Sequence, residues 1–372
     1  MQKSIEVRND YRKIDEIFSL KAKPRVLLVC GKSFDKLQIS RYLKELKDRM
    51  GVELVEFNDF EPNPLSGSVV KGVSLFHRAK CNMILAVGGG SAIDVAKCIK
   101  LYLKEIELKE DFWKYSPVHN DIEFIAVPTT AGTGSEATKY AVIYHNGEKL
   151  SISDEKCIPS TVIFDSSTLE TLPDFHRKST MLDALSHAIE SFWSINSTTE
   201  SIALSKQAIE TIINYKEEYF INSEEGNNKM LYASNIAGKA INITQTTAGH
   251  AMSYKLTSLY TIPHGYAAAL CMVNVWEYMV LNTNKCIDDR GEEYLIHKFQ
   301  EIASALGCKS AHEAIIFLKE MLNKMNLPGI EMRNNLELSI LQNSVNLTRL
   351  KNNPVKLDTN AIDIIYRKIL SV

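Results

Sequence analysis

The chain has 372 residues, 45% of them hydrophobic, and a formal net charge of −2. That length suits two ordinary domains, because single cores stop growing at about 250–300 residues. Interspersed charges leave no basic stripe for nucleic acid and no acidic tail, and no apolar run approaches the roughly 18–20 residues that span a bilayer.

The opening MQKSIEVRNDYRK is charged throughout and lacks the apolar stretch of a signal peptide. Short apolar runs bounded by turns follow: Arg25 to Gly31, Gly51 to Phe57, Met83 to Val87, Phe124 to Pro128 and Thr161 to Asp165. Helix-patterned stretches lie between several of them, such as Ser40 to Met50 and Val69 to Ala79. Strand alternating with helix predicts a parallel α/β sheet. Ten of the 17 glycines and seven of the 10 prolines precede Thr180, so turns are concentrated in this half.

Two glycine-bearing turns stand out. Met83 to Val87 runs into Gly88-Gly89-Gly90-Ser91 and then an amphipathic helix carrying Asp94 and Lys97. Missing side chains let the backbone approach a phosphate, and the helix start points free N–H groups and its positive dipole end at it. This is not GxGxxG. A single glycine here would be read as a tight turn without a ligand, but three followed by serine favour the phosphate. Thr129-Thr130-Ala131-Gly132-Thr133-Gly134-Ser135-Glu136 follows another apolar strand and offers several hydroxyls. Alone it is a polar loop or a cap; two such loops at consecutive strand ends favour a nucleotide crevice.

The grammar changes near Leu172 to Ser179. No proline interrupts the chain between Pro173 and Ile262, and apolar residues recur at helical spacing. The expectation is an α/β dinucleotide-binding domain over 1–175 and an all-α domain over 176–372, whose closing stretch from Lys309 to Val372 is broken at Pro328-Gly329 and Pro354.

Within the helical half, Asp183 and His187 are four apart and share one helix face. That spacing suits two ligands of one metal, and equally a plain carboxylate–imidazole pair. His250 and His264 are flanked by small or apolar residues, which suits buried, neutral imidazoles. One carboxylate with three imidazoles suits Fe(II) or Zn(II) and poorly suits magnesium or calcium. His77, His119, His145, His176, His297 and His312 sit in charged or loop-like contexts and read as ordinary. The seven cysteines, Cys30, Cys81, Cys98, Cys157, Cys271, Cys286 and Cys308, never form CxxC and read as free thiols of a reducing cytoplasm.

These motifs, in this order, resemble the iron-containing (group III) alcohol dehydrogenases: Gly88-Gly89-Gly90-Ser91 with Asp94 and Lys97, Pro128 to Glu136, Asp183-Ala-Leu-Ser-His187-Ala-Ile-Glu190, and Pro263-His264-Gly265. The likeness runs along roughly the whole chain, including Glu61-Pro62-Asn63-Pro64 and the stretch from Lys149 to Asp165. It implies the architecture shared with dehydroquinate synthase, an N-terminal dinucleotide-binding domain and a C-terminal helical domain, with catalysis between them. Metal ligands then fall on Asp183, His187, His250 and His264, with Fe(II) ahead of Zn(II). Contacts to NAD(P)H fall on Asn63, Gly89, Gly90, Ser91, Asp94, Thr129, Thr130, Thr133, Val142 and Lys149.

Two departures bear on chemistry. Many members carry an acidic residue after the first strand, where it binds the adenosine ribose and repels a 2′-phosphate; here Gly31 stands there, followed by Lys32 and Ser33. The missing carboxylate and nearby cation tip the expectation toward NADPH, while Gly31 as a plain turn residue also admits NAD(H). Many members also have a histidine four residues after the third ligand, assigned to proton relay. Tyr254 occupies that place.

The expected reaction is hydride transfer between the nicotinamide and a primary alcohol/aldehyde pair, with the metal as Lewis acid. The wording from Asn242 to Ser258 is similar to the phosphonoacetaldehyde reductase branch, which converts that aldehyde to 2-hydroxyethylphosphonate. Such a substrate needs a cation and hydroxyl donors, and Lys255, Thr246, Thr247 and Ser253 are the nearest candidates. The alternatives are a generic short-chain alcohol dehydrogenase of the butanol or lactaldehyde type, and a silent nucleotide-binding protein on the same scaffold. A small-molecule partner, no nucleic acid, no membrane and a homodimer or higher homo-oligomer complete the expectation.

Overall fold

The computed structural model describes residues 2–7, 10–19, 24–105, 109–345 and 347–371; Val372, the end of the closing helical stretch, lies outside them. The chain divides into two compact units: Met1–Leu172 with Ile221–Asn235, and Pro173–Phe220 with Ile236–Val372.

The first unit is built on strands β1 (Lys3–Glu6), β2 (Arg25–Cys30), β3 (Glu53–Phe57), β4 (Met83–Gly88), β5 (Glu123–Pro128), β6 (Tyr140–His145), β7 (Glu148–Ser153) and β8 (Thr161–Phe164). Six of them form one sheet in the order β1-β8-β5-β4-β2-β3, with every pairing parallel. A parallel sheet is covered on both faces, which is why β2 and β4 read as continuous apolar runs. Their side chains alternate between two cores. Leu27, Val29, Ile84 and Ala86 join Val69, Val73, Ile93 and Ile99 on one side. Val26, Leu28, Met83 and Leu85 join Ile14, Phe18, Ile39 and Leu43 on the other. Each such side chain, fully buried, contributes about 1.5–3 kcal/mol. Helices Ser66–Arg78 and Gly90–Leu101 approach so closely at Gly72 that a Cβ there would lie 2.2 Å from Ile99 Cδ1.

Three elements go beyond the apolar runs. β1 adds an edge strand beside β8, and β6 pairs antiparallel with β7 as a separate hairpin. The stretch from Ser40 to Met50 forms two short helices, Gln38–Lys44 and Leu46–Met50, rather than one. The turn at Glu45 lets both bury an apolar residue, Leu43 and Leu46.

The second unit is helical. Its chief helices are Asp174–Trp193, Thr199–Phe220, Ala248–Tyr260 and His264–Leu281, followed by Glu292–Ala305, Ala311–Lys324, Asn335–Asn343 and Thr359–Leu370. The helix Glu224–Thr244 crosses the division between the units. All seven cysteines are free, and among the described residues no helix is long and apolar enough to cross a membrane.

Candidate active site

Four polar side chains converge inside the second unit. Asp183 and His187 lie one turn apart on Asp174–Trp193, His250 sits in the first turn of Ala248–Tyr260, and His264 opens His264–Leu281. Asp183 Oδ1 is 3.4 Å from His250 Nε2 and 4.0 Å from the Nε2 atoms of both His187 and His264. A tetrahedral site with metal–nitrogen bonds of about 2.1 Å spaces its ligand atoms about 3.4 Å apart, so the His250 gap matches such a cage and the other two are wider. Asp183, His187 and His250 are buried and form the tight set; His264, 37% exposed, stands at its open side.

Donor chemistry fits a metal as well as spacing does. Asp183 Oδ1 and His250 Nε2 are buried and have no hydrogen-bond partner, a costly arrangement unless an ion satisfies them. Burial alone would raise the Asp183 carboxyl, but His187, with His250 and His264, reverses this and holds it well below the usual carboxylate range. The site thus keeps an anionic oxygen among three imidazoles.

Glu190 supports the cage from behind. It is fully buried on the Asp174–Trp193 helix. Its Oε2 accepts from His250 Nδ1 at 2.8 Å and from Thr247 N at 2.9 Å, while Oε1 accepts from His250 N at 2.9 Å. One carboxylate therefore caps the start of Ala248–Tyr260 and fixes the His250 ring with Nε2 facing Asp183. Burial lowers the His250 imidazole, but Glu190 and then Asp183 outweigh it and push it up to about 9.

Two glycines make this proximity possible. A Cβ at Gly249 would lie 2.1 Å from Glu190 Oε1, and one at Gly265 would lie 2.0 Å from Ser179 O and 2.7 Å from Asp183 Cβ. The roles of Glu190, Gly249 and Gly265 are absent from the sequence reading. Their only signal was adjacency: Glu190 lies three residues after His187, and each glycine flanks a candidate ligand.

Around the cage, Tyr254 lies on His250's helix face and stacks on His264, with planes 6° apart and centroids 5.5 Å apart. Two of the expected donors for an anionic substrate are engaged elsewhere. The Thr247 hydroxyl is buried and accepts from Trp193 Nε1, while buried Ser253 donates to His250 O. Thr246 is half-buried before the helix, and its carbonyl accepts from Asn352 Nδ2. Lys255, five residues past His250, is turned about 140° around the helix from it. Of the remaining histidines, His77, His119, His145 and His297 pair with Leu103 O, Asp154, Ser66 and Glu301.

In the first unit the two glycine-bearing loops meet. Gly88 ends β4 and Gly89 precedes the Gly90–Leu101 helix, whose start no side chain caps. Thr129 N donates to Gly88 O. Thr130 packs over Gly89 and Thr133 over Gly90, so a Cβ would meet them at 3.1 Å and 2.9 Å. Ser91 lies in the first helical turn. The result is a backbone cradle with N–H groups and threonine hydroxyls on its rim.

Asp94, expected among the cofactor contacts, has both oxygens engaged within the protein. Oδ1 accepts from Ser135 Oγ at 2.5 Å and Oδ2 from Val142 N at 3.0 Å. Desolvation raises its carboxyl, with Lys97 pulling the other way. Lys97, wholly buried, donates to Thr138 O, Thr138 Oγ1 and Tyr140 O. Asp94 and Lys97 thus tie the helix to the second loop and to β6. Val142 and Lys149 lie on the hairpin, and Tyr144 N donates to Pro64 O, which brings Asn63 beside it. Asn63 itself adopts a left-handed conformation, φ 60°. Gly31 N lies 3.8 Å from where a Gly88 Cβ would stand, so the end of β2 adjoins the cradle.

A glycine-lined helix start in one unit and a carboxylate–imidazole cage in the other are the two features set beside known proteins. Residues 4–166 match the family described as iron-containing alcohol dehydrogenase, and residues 178–370 match its C-terminal counterpart. The chain belongs to the iron-containing alcohol dehydrogenase family. It is similar to the NADPH-dependent butanol dehydrogenase of Clostridium saccharobutylicum, 29% identical over 85% of this chain and 81% of that protein. The 1,3-propanediol dehydrogenase of Klebsiella pneumoniae is 33% identical over 66% of this chain, which spans 64% of that protein's length. For the aldehyde-alcohol dehydrogenase 2 of Entamoeba histolytica that share is 32%. Among solved structures, the sulfoacetaldehyde reductase of Bifidobacterium kashiwanohense in complex with NAD+ superposes with a TM-score of 0.87 at 25% identity, covering 100% of this chain and 97% of that one.

Proposed function

We propose that this chain reduces a short aldehyde to the primary alcohol with NAD(P)H and a divalent metal, Fe(II) ahead of Zn(II), held by Asp183, His187, His250 and His264. The observation that carries this reading is the convergence of three imidazoles on Asp183, whose Oδ1 lies 3.4–4.0 Å from each Nε2. When bound, the metal supplies the Lewis acidity that polarises a carbonyl ahead of hydride arrival. The protein's share is to keep Asp183 anionic, to fix the His250 ring through Glu190, and to present backbone N–H groups at Gly89–Ser91 to a pyrophosphate. Purified, metal-loaded protein assayed by nicotinamide absorbance on short aldehydes tests the reading. Absence of turnover on every aldehyde with both cofactors would sink it.

A second reading narrows the substrate to an aldehyde with an anionic tail, phosphonoacetaldehyde. Similarity to a sulfoacetaldehyde reductase over the full chain favours it, although the Thr247 and Ser253 hydroxyls are engaged within the protein. Equal turnover of phosphonoacetaldehyde and butanal at matched concentration would argue against it.

The Tyr254 phenol stands where a proton relay is expected, yet its ring is what meets His264. Tyr254→Phe is expected to retain full metal and to lower kcat by less than about tenfold, below the range for removing a general acid. A loss beyond a hundredfold with metal intact would assign the hydroxyl the relay.

Cofactor choice follows the end of β2. A side chain at Gly31 would meet nothing within 4 Å, so Gly31→Asp is accommodated and places a carboxylate where a 2′-phosphate would lie. The NADH-to-NADPH ratio of kcat/KM is expected to rise by about tenfold or more, the effect of one close like-charge contact. An unaltered ratio would refute the role of this position.

A further inference from the structure

Lys32, the cation beside Gly31, is already held. Its Nζ lies 2.5 Å from Glu61 Oε1, with both side chains exposed, 74% and 69%. The pair joins two turns at one edge of the sheet. β2 and β3 are parallel neighbours, in register from Arg25↔Glu53 to Val29↔Phe57. Gly31-Lys32 and the Asn58–Asn63 segment therefore leave the sheet at the same carboxyl end, where β4 delivers Gly88–Gly90. Open crevices of α/β sheets bind their ligands at this end.

Two neighbouring cations are held separately. Lys44 pairs with Asp35 at 2.5 Å, and Lys71 with Asp59 at 2.7 Å. Lys32 is the one adjacent in sequence to the side-chain-free position at Gly31, which itself adjoins the phosphate cradle.

Resting on the NAD(P)H reading, we infer that Glu61 sets cofactor choice: it is the internal counter-ion that a 2′-phosphate must displace from Lys32. An unpaired lysine beside Gly31 would commit the site to the phosphorylated cofactor. A lysine neutralised by a surface carboxylate does not, because the exposed pair is weak and exchangeable. With the unphosphorylated cofactor the pair stays closed and Lys32 carries no unsatisfied charge. With a 2′-phosphate, the dianion offers stronger acceptors than a carboxylate and takes Lys32 over, leaving Glu61 to solvent at the cost of the pair. Glu61 thereby moderates a preference that Lys32 creates, and the chain accepts both cofactors.

The test uses nucleotide fragments that need neither metal nor nicotinamide chemistry. Adenosine 2′,5′-bisphosphate and adenosine 5′-monophosphate are titrated calorimetrically into the full chain, Glu61→Gln, Lys32→Gln and the double variant, at low and moderate salt. Glu61→Gln is expected to tighten the bisphosphate about three- to fivefold at low salt, the size of one exposed ion pair, and to leave the monophosphate unchanged. Lys32→Gln should weaken the bisphosphate about tenfold, and the double variant should match Lys32→Gln alone. Unchanged bisphosphate affinity in Glu61→Gln overturns the inference. So does equal tightening of both nucleotides, which would mean general repulsion, or a persisting Glu61→Gln effect without Lys32. Failure of the unaltered protein to bind either nucleotide would instead strike the dinucleotide reading itself.

Discussion

His264→Ala is expected to strip most of the metal and to lower turnover about a thousandfold, while dinucleotide affinity stays within about twofold. The size follows from chemistry: loss of Lewis-acid assistance worth about 4 kcal/mol corresponds to about three decades of rate. The selectivity follows from structure. His264 is the outermost of the four proposed ligands, 37% exposed, so its removal opens no large buried cavity and leaves the packing around Asp183 and His250 intact. The glycine cradle proposed for the cofactor lies in the other unit. Metal content by elemental analysis and cofactor titration of the same preparation check both halves, and retained activity with full metal would remove His264 from the cage.

Gly265→Ala should damage the same site by a different route. At Gly265 the start of His264–Leu281 meets the Asp174–Trp193 helix, and a Cβ would stand 2.0 Å from Ser179 O and 3.0 Å from Asp183 N. Both are backbone atoms, which no rotamer change can relieve. The helices must separate where one presents His264 and the other Asp183, so a cost of about 3 kcal/mol or more is expected, at the upper end for overpacking. Calorimetric melting should show a lowered Tm, and metal affinity should fall although every ligand is still present. An unchanged Tm with full metal occupancy would mean that the helices part freely here.

Legibility in the sequence tracked the range of the interaction. β2, β4 and β5 were readable because parallel strands buried on both faces are unbroken apolar runs. The β6–β7 hairpin was not: only Ala141 and Ile143 of its strands are buried, while Glu148 and Ser151 are exposed and Lys149 is half-buried. Asp183 and His187 were visible as a helical repeat, and His250 and His264 as imidazoles among small neighbours. The contacts that complete the site were not visible. Gly249 touches Glu190, and Gly265 touches Ser179, across chain separations that no local spacing encodes. Asp94 shows the converse: its place in a phosphate-loop motif suggested a ligand contact, whereas its oxygens join Ser135 and Val142. Thr247 and Ser253, named from their position near His250, are spent on Trp193 and on the helix backbone.

The hydrogen bonds of Glu190 also fix the electrical balance of the cage. Its carboxylate touches His250 and that of Asp183 faces all three imidazoles, so these two buried acids would together offset the charge of one divalent ion held there. A monovalent ion in the same place would leave a surplus negative charge in the interior, and a trivalent ion a surplus positive one. Either imbalance is expensive away from water. A divalent ion held there would be balanced in part by a carboxylate that need never touch it.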